Sequence, residues 1–133
     1  MRFTIRQTND RDAVFKMDNE MFPGCRNLQD MENPHLWLAW HKGERVGYCA
    51  TIVSDGFIFM ARSAVLPEFR GHGLQKRMLA VREKFHGAGL YITYTRRSNP
   101  ASMNSLIGCG YRAYWPEWRY AGREMVYWCK EEI

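Results

Sequence analysis

The chain has 133 residues, 46% of them hydrophobic and 25% charged, which suits one globular domain spanning 1–133 and excludes extended disorder. No apolar run approaches the ~20 residues that cross a bilayer, and the first six residues (MRFTIR) turn polar at once, so neither a membrane span nor a signal peptide is expected. The net charge of +5 would suit an anionic partner, but the basic residues are scattered and their longest run is Arg96-Arg97, so no nucleic-acid face is expected.

Residues 3–6 read as a first strand. Thr8-Asn9-Asp10 offers capping side chains, and Val14, Met17, Met21 and Phe22 recur at helical spacing, which predicts a helix over 10–21 stopped by Pro23-Gly24. An antiparallel meander follows: a strand over 36–40, a turn at 42–44, a returning strand over 45–53, and a third strand over 57–66 after the Ser54-Asp55-Gly56 turn. Val46, Tyr48, Ala50 and Ile52 are expected on one side of the second of these.

From residue 74 the period changes. Leu74, Met78, Leu79, Val81 and Phe85 predict a helix closed by Gly87 and Gly89, followed by a strand over 90–95. Ser98-Asn99-Pro100 opens a last helix with Met103, Leu106 and Ile107 on its buried side, and strands over 111–115 and 124–129 complete the chain. The fold class is α/β (α+β): a mixed, mostly antiparallel sheet of about seven strands flanked by helices. The strand–helix–strand unit around Gly71 should make one parallel pair.

The segment from Val65 to Gln75 carries the chemistry. A strand ends, a glycine-bearing loop follows, and a helix begins with free N–H groups and the positive end of its dipole. That arrangement suits a phosphate, with Gly71 and Gly73 allowing close approach and Arg70 and Lys76 adding charge. Position 76 is Lys, so the Gly-x-Gly-x-x-Gly of a dinucleotide site is absent. The Gly-Lys-Ser/Thr ending of an ATP or GTP loop is absent too.

Val65-x-Pro67-x-x-Arg70-Gly71-x-Gly73-Leu74 resembles the acyl-CoA-binding motif of the GNAT superfamily of N-acyltransferases, Arg/Gln-x-x-Gly-x-Gly/Ala. Arg70 and Gly73 match it, and Gln75 departs at the final small position. Asn99-x-x-Ser102, opening a helix that ends at Gly110-Tyr111, resembles the family's next motif, and the element order agrees along nearly the whole chain. The resemblance implies a GNAT-like fold and acetyl-CoA (coenzyme A) as co-substrate, with no metal. In the family the fourth and fifth strands splay, and pantetheine lies between them. Here backbone groups at Val65 and Leu66 would meet pantetheine, and the diphosphate would sit on Arg70, Gly71, His72, Gly73, Leu74 and Gln75 beside Lys76. Asn99 and Ser102 would face the cofactor from the other side. An amine then attacks the thioester directly, in one complex with it.

The acid and base of that reaction are not apparent. Many relatives carry a Tyr seven residues after the Asn; that position is Leu106. Where a carboxylate base would stand on the fourth or fifth strand, the chain has Phe59, Ala61, Ser63 and Thr93. Tyr94 and Tyr111 are candidate donors, and Glu20 and His35 candidate bases at the acceptor mouth. Met21, Phe22 and Pro23 are expected to form an apolar lip for the acceptor, a small-molecule or peptide amine, with Trp115, Glu117, Trp118 and Tyr120 opposite. The alternative is a catalytically weak CoA-binding module that acts as a sensor or partner-binding protein. Cys25, Cys49, Cys109 and Cys129 form no Cys-x-x-Cys pair and, with His35, His41, His72 and His86, no metal-ligand spacing, which points to free thiols in the cytoplasm. The apolar stretch 125–129 is either an internal strand or an edge through which a homodimer pairs.

Overall fold

A computed structural model describes residues 1–25, 28–117 and 124–133. Among the described residues there are seven strands: β1 Thr4–Thr8, β2 His35–His41, β3 Glu44–Ser54, β4 Phe57–Val65, β5 Gly89–Arg96, β6 Arg112–Tyr114 and β7 Met125–Glu132. Three helices join them: α1 Arg11–Met21, α2 Leu74–His86 and α3 Pro100–Gly108. The strands form one sheet in the order β1-β2-β3-β4-β5-β7-β6, antiparallel throughout except at β4–β5.

Local chemistry accounts for the boundaries. The Asp10 carboxylate accepts from the Ala13 N–H at 3.2 Å and starts α1. Lys42 and Gly43 both adopt positive φ, as a two-residue hairpin requires. Asn99 caps α3 by accepting from the Ser102 N–H at 3.2 Å, and Pro100 fills the first turn.

Both faces of the sheet are covered. Val14 and Leu28 pack with Leu36, Leu38, Tyr48 and Ala50 under α1. Leu74 and Met78 of α2 pack with Trp37, Val46, Cys49 and Val65, and Leu79 and Leu106 close over Met60, Tyr91 and Trp128.

Three expectations change. Val46 does not share a side with Tyr48, Ala50 and Ile52: the β2–β3 register slips between Ala39 and Trp40, and this bulge sends Val46 to the α2 face with Cys49. Ile107 is 56% exposed, so α3 buries only Leu106 fully. On α2 the fully buried side includes Arg82, whereas Phe85 is half-exposed and rests edge-on against Trp37. Of the two readings left open for the stretch 125–129, the internal strand is the one present, because β7 runs between β5 and β6.

Candidate active site

β4 and β5 pair only at Ile58↔Tyr91 and Phe59↔Ile92, then diverge. Two features force the fork. The β3–β4 register slips between Cys49 and Thr51, where Cys49 opposes Ser63 and Thr51 opposes Met60, so β4 carries an extra residue at Ala61–Arg62. Past the last pair, the Thr93 hydroxyl donates to the Met60 carbonyl at 2.8 Å and takes the place of a ladder bond.

The fork opens into a cavity of about 400 Å³. Met60, Ala61 and Ser63 of β4 and Thr93, Tyr94 and Thr95 of β5 form its sides. Gln75, Leu79 and Arg82 of α2 and Asn99, Ser102, Ser105 and Leu106 of α3 wall one end. Phe22, Cys25 and Met31 reach it from the region after α1. Among the lining residues there is no Asp or Glu.

At the α2 end the chain makes a 3-10 turn at Pro67–Phe69, then passes Gly71 (φ +83) and Gly73 (φ +76) into the helix. No side chain caps the first turn of α2, and a Cβ built on Gly71 or Gly73 would meet nothing within 4 Å. The N–H groups of a helix start therefore face open space beside the cavity. The Arg70 Nε donates to the Val65 carbonyl at 3.0 Å and holds this turn against the end of β4. The Leu66 N–H is bonded to the Val46 carbonyl at 2.9 Å, so by the alternation of an antiparallel ladder the backbone groups of Val65 point away from β3, towards the fork.

The residues singled out in the sequence divide accordingly. Arg70, Gly71, His72 and Gly73 form the turn, Gln75 reaches the cavity and accepts from the Ser63 hydroxyl at 2.8 Å, and Asn99 and Ser102 line the wall, Asn99 also capping α3 through the Ser102 N–H. The Leu74 side chain belongs to the core, leaving only its backbone at the turn. Lys76 runs instead to the C-terminal end of α3, where its Nζ would lie 2.8 Å from a Cβ on Gly108, a cation at a negative dipole end. Phe22 lines the cavity and Pro23 does not.

The acid–base candidates separate more sharply. Tyr94 lines the cavity, 41% exposed and stacked on Phe59 at 5.8 Å. Tyr111 does not: it is 4% exposed and donates to the Glu83 carboxylate at 2.9 Å, within a cluster that includes Lys130. Burial, and then the Glu83 charge, push its pKa upward and hold the phenol protonated. Glu20 faces the outer side of α1 with Asp12 and Lys16. His35 packs against Phe85 and His86, away from the lining. Trp118 and Tyr120 lie outside the described residues.

Sequence reasoning missed two groups beside the cavity. Asp18 is 1% exposed and accepts from the Tyr48 hydroxyl at 2.6 Å, the Leu28 N–H at 2.9 Å and the Arg62 guanidinium at 3.2 Å. Arg62 also lies over the Phe22 ring, 4.9 Å from its centroid, so this network fixes the wall after α1. Burial, then the bond to Asp18, raise the Tyr48 pKa. The second group is Arg82. The apolar residues of α2 at helical spacing are legible in the sequence, but a charged residue beside them carries no signal that it turns inward.

The sequence model of the acetyltransferase (GNAT) family matches residues 5–111. No curated protein sequence matches the chain. A Bacillus subtilis acetyltransferase solved in complex with CoA superposes with a TM-score of 0.78 at 14% identity, covering 99% of this chain and 100% of that one. A GNAT family acetyltransferase from Elizabethkingia anophelis with acetyl-CoA bound gives 0.71 at 16% identity, with 97% of each chain covered. The ribosomal-protein-S18-alanine N-acetyltransferase of Escherichia coli gives 0.72 at 17% identity, covering 98% of this chain and 94% of that one. These likenesses concern the fold, and the match over residues 5–111 carries the assignment: the chain belongs to the GNAT family of acetyltransferases.

Proposed function

We propose that the chain transfers an acetyl group from acetyl-CoA to a primary amine, with both substrates held in one complex. The observation that carries this reading is the fork between β4 and β5, which joins the uncapped start of α2 to the opening beside Phe22 and Met31. Acetyl-CoA fits what is present. The diphosphate would rest on the N–H groups of the turn from Arg70 to Gln75, where no Cβ stands in the way. Pantetheine would run along Val65 and Ser63 with Asn99 and Ser102 facing it, and the thioester would reach the bulge of β4. The amine would enter past Phe22 and Tyr94. Attack by its lone pair forms the C–N bond, the C–S bond breaks so that CoA leaves as thiolate, and the proton lost by nitrogen reaches that sulfur directly or through solvent.

Leu106 in the cavity wall favours a second reading, a CoA-binding module with weak turnover, because that side chain cannot donate a proton. Cytoplasmic location and a small-molecule or peptide acceptor are part of the proposal. No helix among the described residues is long and apolar enough to cross a membrane. The test is thermal unfolding with acetyl-CoA, using adenosine diphosphate as control. Ligand at ~100 times its dissociation constant stabilises by about 2.7 kcal/mol, or roughly 10 °C for a chain of 133 residues. No shift at millimolar acetyl-CoA would refute the reading. A shift without acetylation of any amine in a broad panel would favour the binding module.

A further inference from the structure

Arg82 is 2% exposed, yet no carboxylate among the described residues pairs with it. Its Nε donates to the Met78 carbonyl at 3.1 Å, and its Nη1 donates to the carbonyls of Ala50 at 3.1 Å and Ala61 at 3.4 Å. Those last two acceptors flank the β3–β4 register slip, where the ladder leaves backbone groups over. The guanidinium is thereby locked in one orientation. Its third nitrogen, Nη2, makes no hydrogen bond to the described residues. Among them, no side-chain nitrogen or oxygen sealed from solvent lacks a partner, so Nη2 keeps access to solvent, and Arg82 is one of the residues that line the cavity.

Its depth in the cavity is informative. Gln75, Leu79 and Arg82 stand at i, i+4 and i+7 on α2 and line the cavity together. Arg82 lies about 10 Å further along the helix axis than Gln75, at 1.5 Å per residue. If phosphates occupy the start of α2, this cation stands at the other end, where the fork closes and the thioester would lie. A buried positive charge with an open donor calls for an anion, and among the described residues neither Asp nor Glu lines the cavity to supply one.

Resting on the acetyl-transfer reading, we propose that Arg82 is a catalytic residue whose Nη2–H binds the thioester oxygen and stabilises the negative charge that develops on it. As the amine nitrogen bonds to the carbonyl carbon, the carbonyl electron pair moves onto oxygen, against Nη2. When the pair returns, the C–S bond breaks, sulfur leaves as thiolate, and the proton lost by nitrogen reaches it through solvent. A guanidinium stays charged across assay pH, so Arg82 acts as a fixed electrophile and not as an acid. Such preorganised donors lower the barrier most where water is excluded. This gives the site a charge-stabilising group even though Leu106 occupies the wall.

The test is isotope-edited infrared spectroscopy of acetyl-CoA labelled at the thioester carbonyl, bound to the wild type, Arg82→Met and Arg82→Lys. The carbonyl band should move to lower frequency in the wild type than in buffer, and the move should vanish in Arg82→Met while the dissociation constant changes less than about threefold. With hydroxylamine as a surrogate acceptor, thiol release should fall about 100–1000-fold in Arg82→Met, the loss typical of one oxyanion donor. Arg82→Lys, which keeps the charge but cannot hold two carbonyls and still present a donor, should recover only part of the rate. An equal carbonyl band in wild type and variants, or a rate loss matched by equal losses of acetyl-CoA affinity and melting temperature, would reduce Arg82 to a clamp on the bulge and overturn the proposal. Failure of the wild type to bind acetyl-CoA would instead remove the acetyl-transfer reading itself. Should Arg82→Met not fold, the Arg82→Lys spectrum decides alone.

Discussion

Replacing Asp18 with Ala removes the acceptor of three different donors without touching the cavity directly. Asp18 is all but inaccessible, and its oxygens hold the Tyr48 hydroxyl, the Leu28 N–H and the Arg62 guanidinium at 2.6–3.2 Å. The loss takes the acceptor from a buried phenol and the carboxylate from a guanidinium that is 14% exposed. Breaking one side of a buried ion pair costs about 3–5 kcal/mol, because the remaining charge stays desolvated. At an unfolding entropy of about 2.1 cal/mol/K per residue, 133 residues give about 0.28 kcal/mol/K, so the melting temperature should fall by about 11–18 °C. Tyr48→Phe deletes only one donor and leaves the carboxylate its other partners, so its cost should be about 1–2 kcal/mol, or roughly 4–7 °C. The assay is calorimetric unfolding at neutral pH. Because Arg62 lies over Phe22, Asp18→Ala should also loosen the acceptor side more than the α2 turn, and acetyl-CoA affinity should fall less than stability does. A drop below about 4 °C for Asp18→Ala, or one no larger than that of Tyr48→Phe, would refute the argument that this network anchors the wall after α1.

Gly73→Val should abolish acetyl-CoA affinity, measured by titration calorimetry, while lowering stability by only about 1–2 kcal/mol: the new Cβ meets no protein atom, and the cost is a β-branched residue at φ +76. Retained affinity would show that the phosphates bind elsewhere. Arg70→Ala removes the bond to the Val65 carbonyl and should weaken acetyl-CoA binding less than Gly73→Val does if backbone N–H groups dominate; complete loss would assign the recognition to the side chain. Burial, then His35 and Arg82, hold the His86 pKa below the ordinary imidazole value. The unfolded chain therefore takes up the proton first as pH falls. Stability contributed by His86 is intact above about pH 6.5 and declines below it, and His86→Gln should flatten the melting temperature between about pH 5 and 7.

Helix and strand periods, Gly and Pro breaks and the Asn99-Pro100 cap carried the element order along the chain, because those signals act within a few residues of where they stand. The turn around Gly71 and Gly73 was legible for the same reason: a strand end, glycines and a helix start are neighbours in sequence. Contacts across the sheet were not. Tyr94 and Tyr111 are both aromatics in β-rich surroundings, yet one lines the cavity and the other is tied to Glu83 on α2. Glu20 and Asp18 sit two residues apart on α1, and helical rotation turns one outward and the other into the core.

The sequence by itself determined that this is an α/β chain with a strand–turn–helix motif of GNAT type, since local propensity and a contiguous motif suffice for both. Only the tertiary structure decided how wide the fork is and which residues face it. A single inserted residue in β4 breaks the ladder, frees carbonyls of Ala50 and Ala61, and draws in Arg82 from a helix twenty residues later. Bulges depend on how partner strands register, and a buried cation depends on carbonyls that the bulge leaves unpaired, so neither is written in the local pattern of the residues concerned.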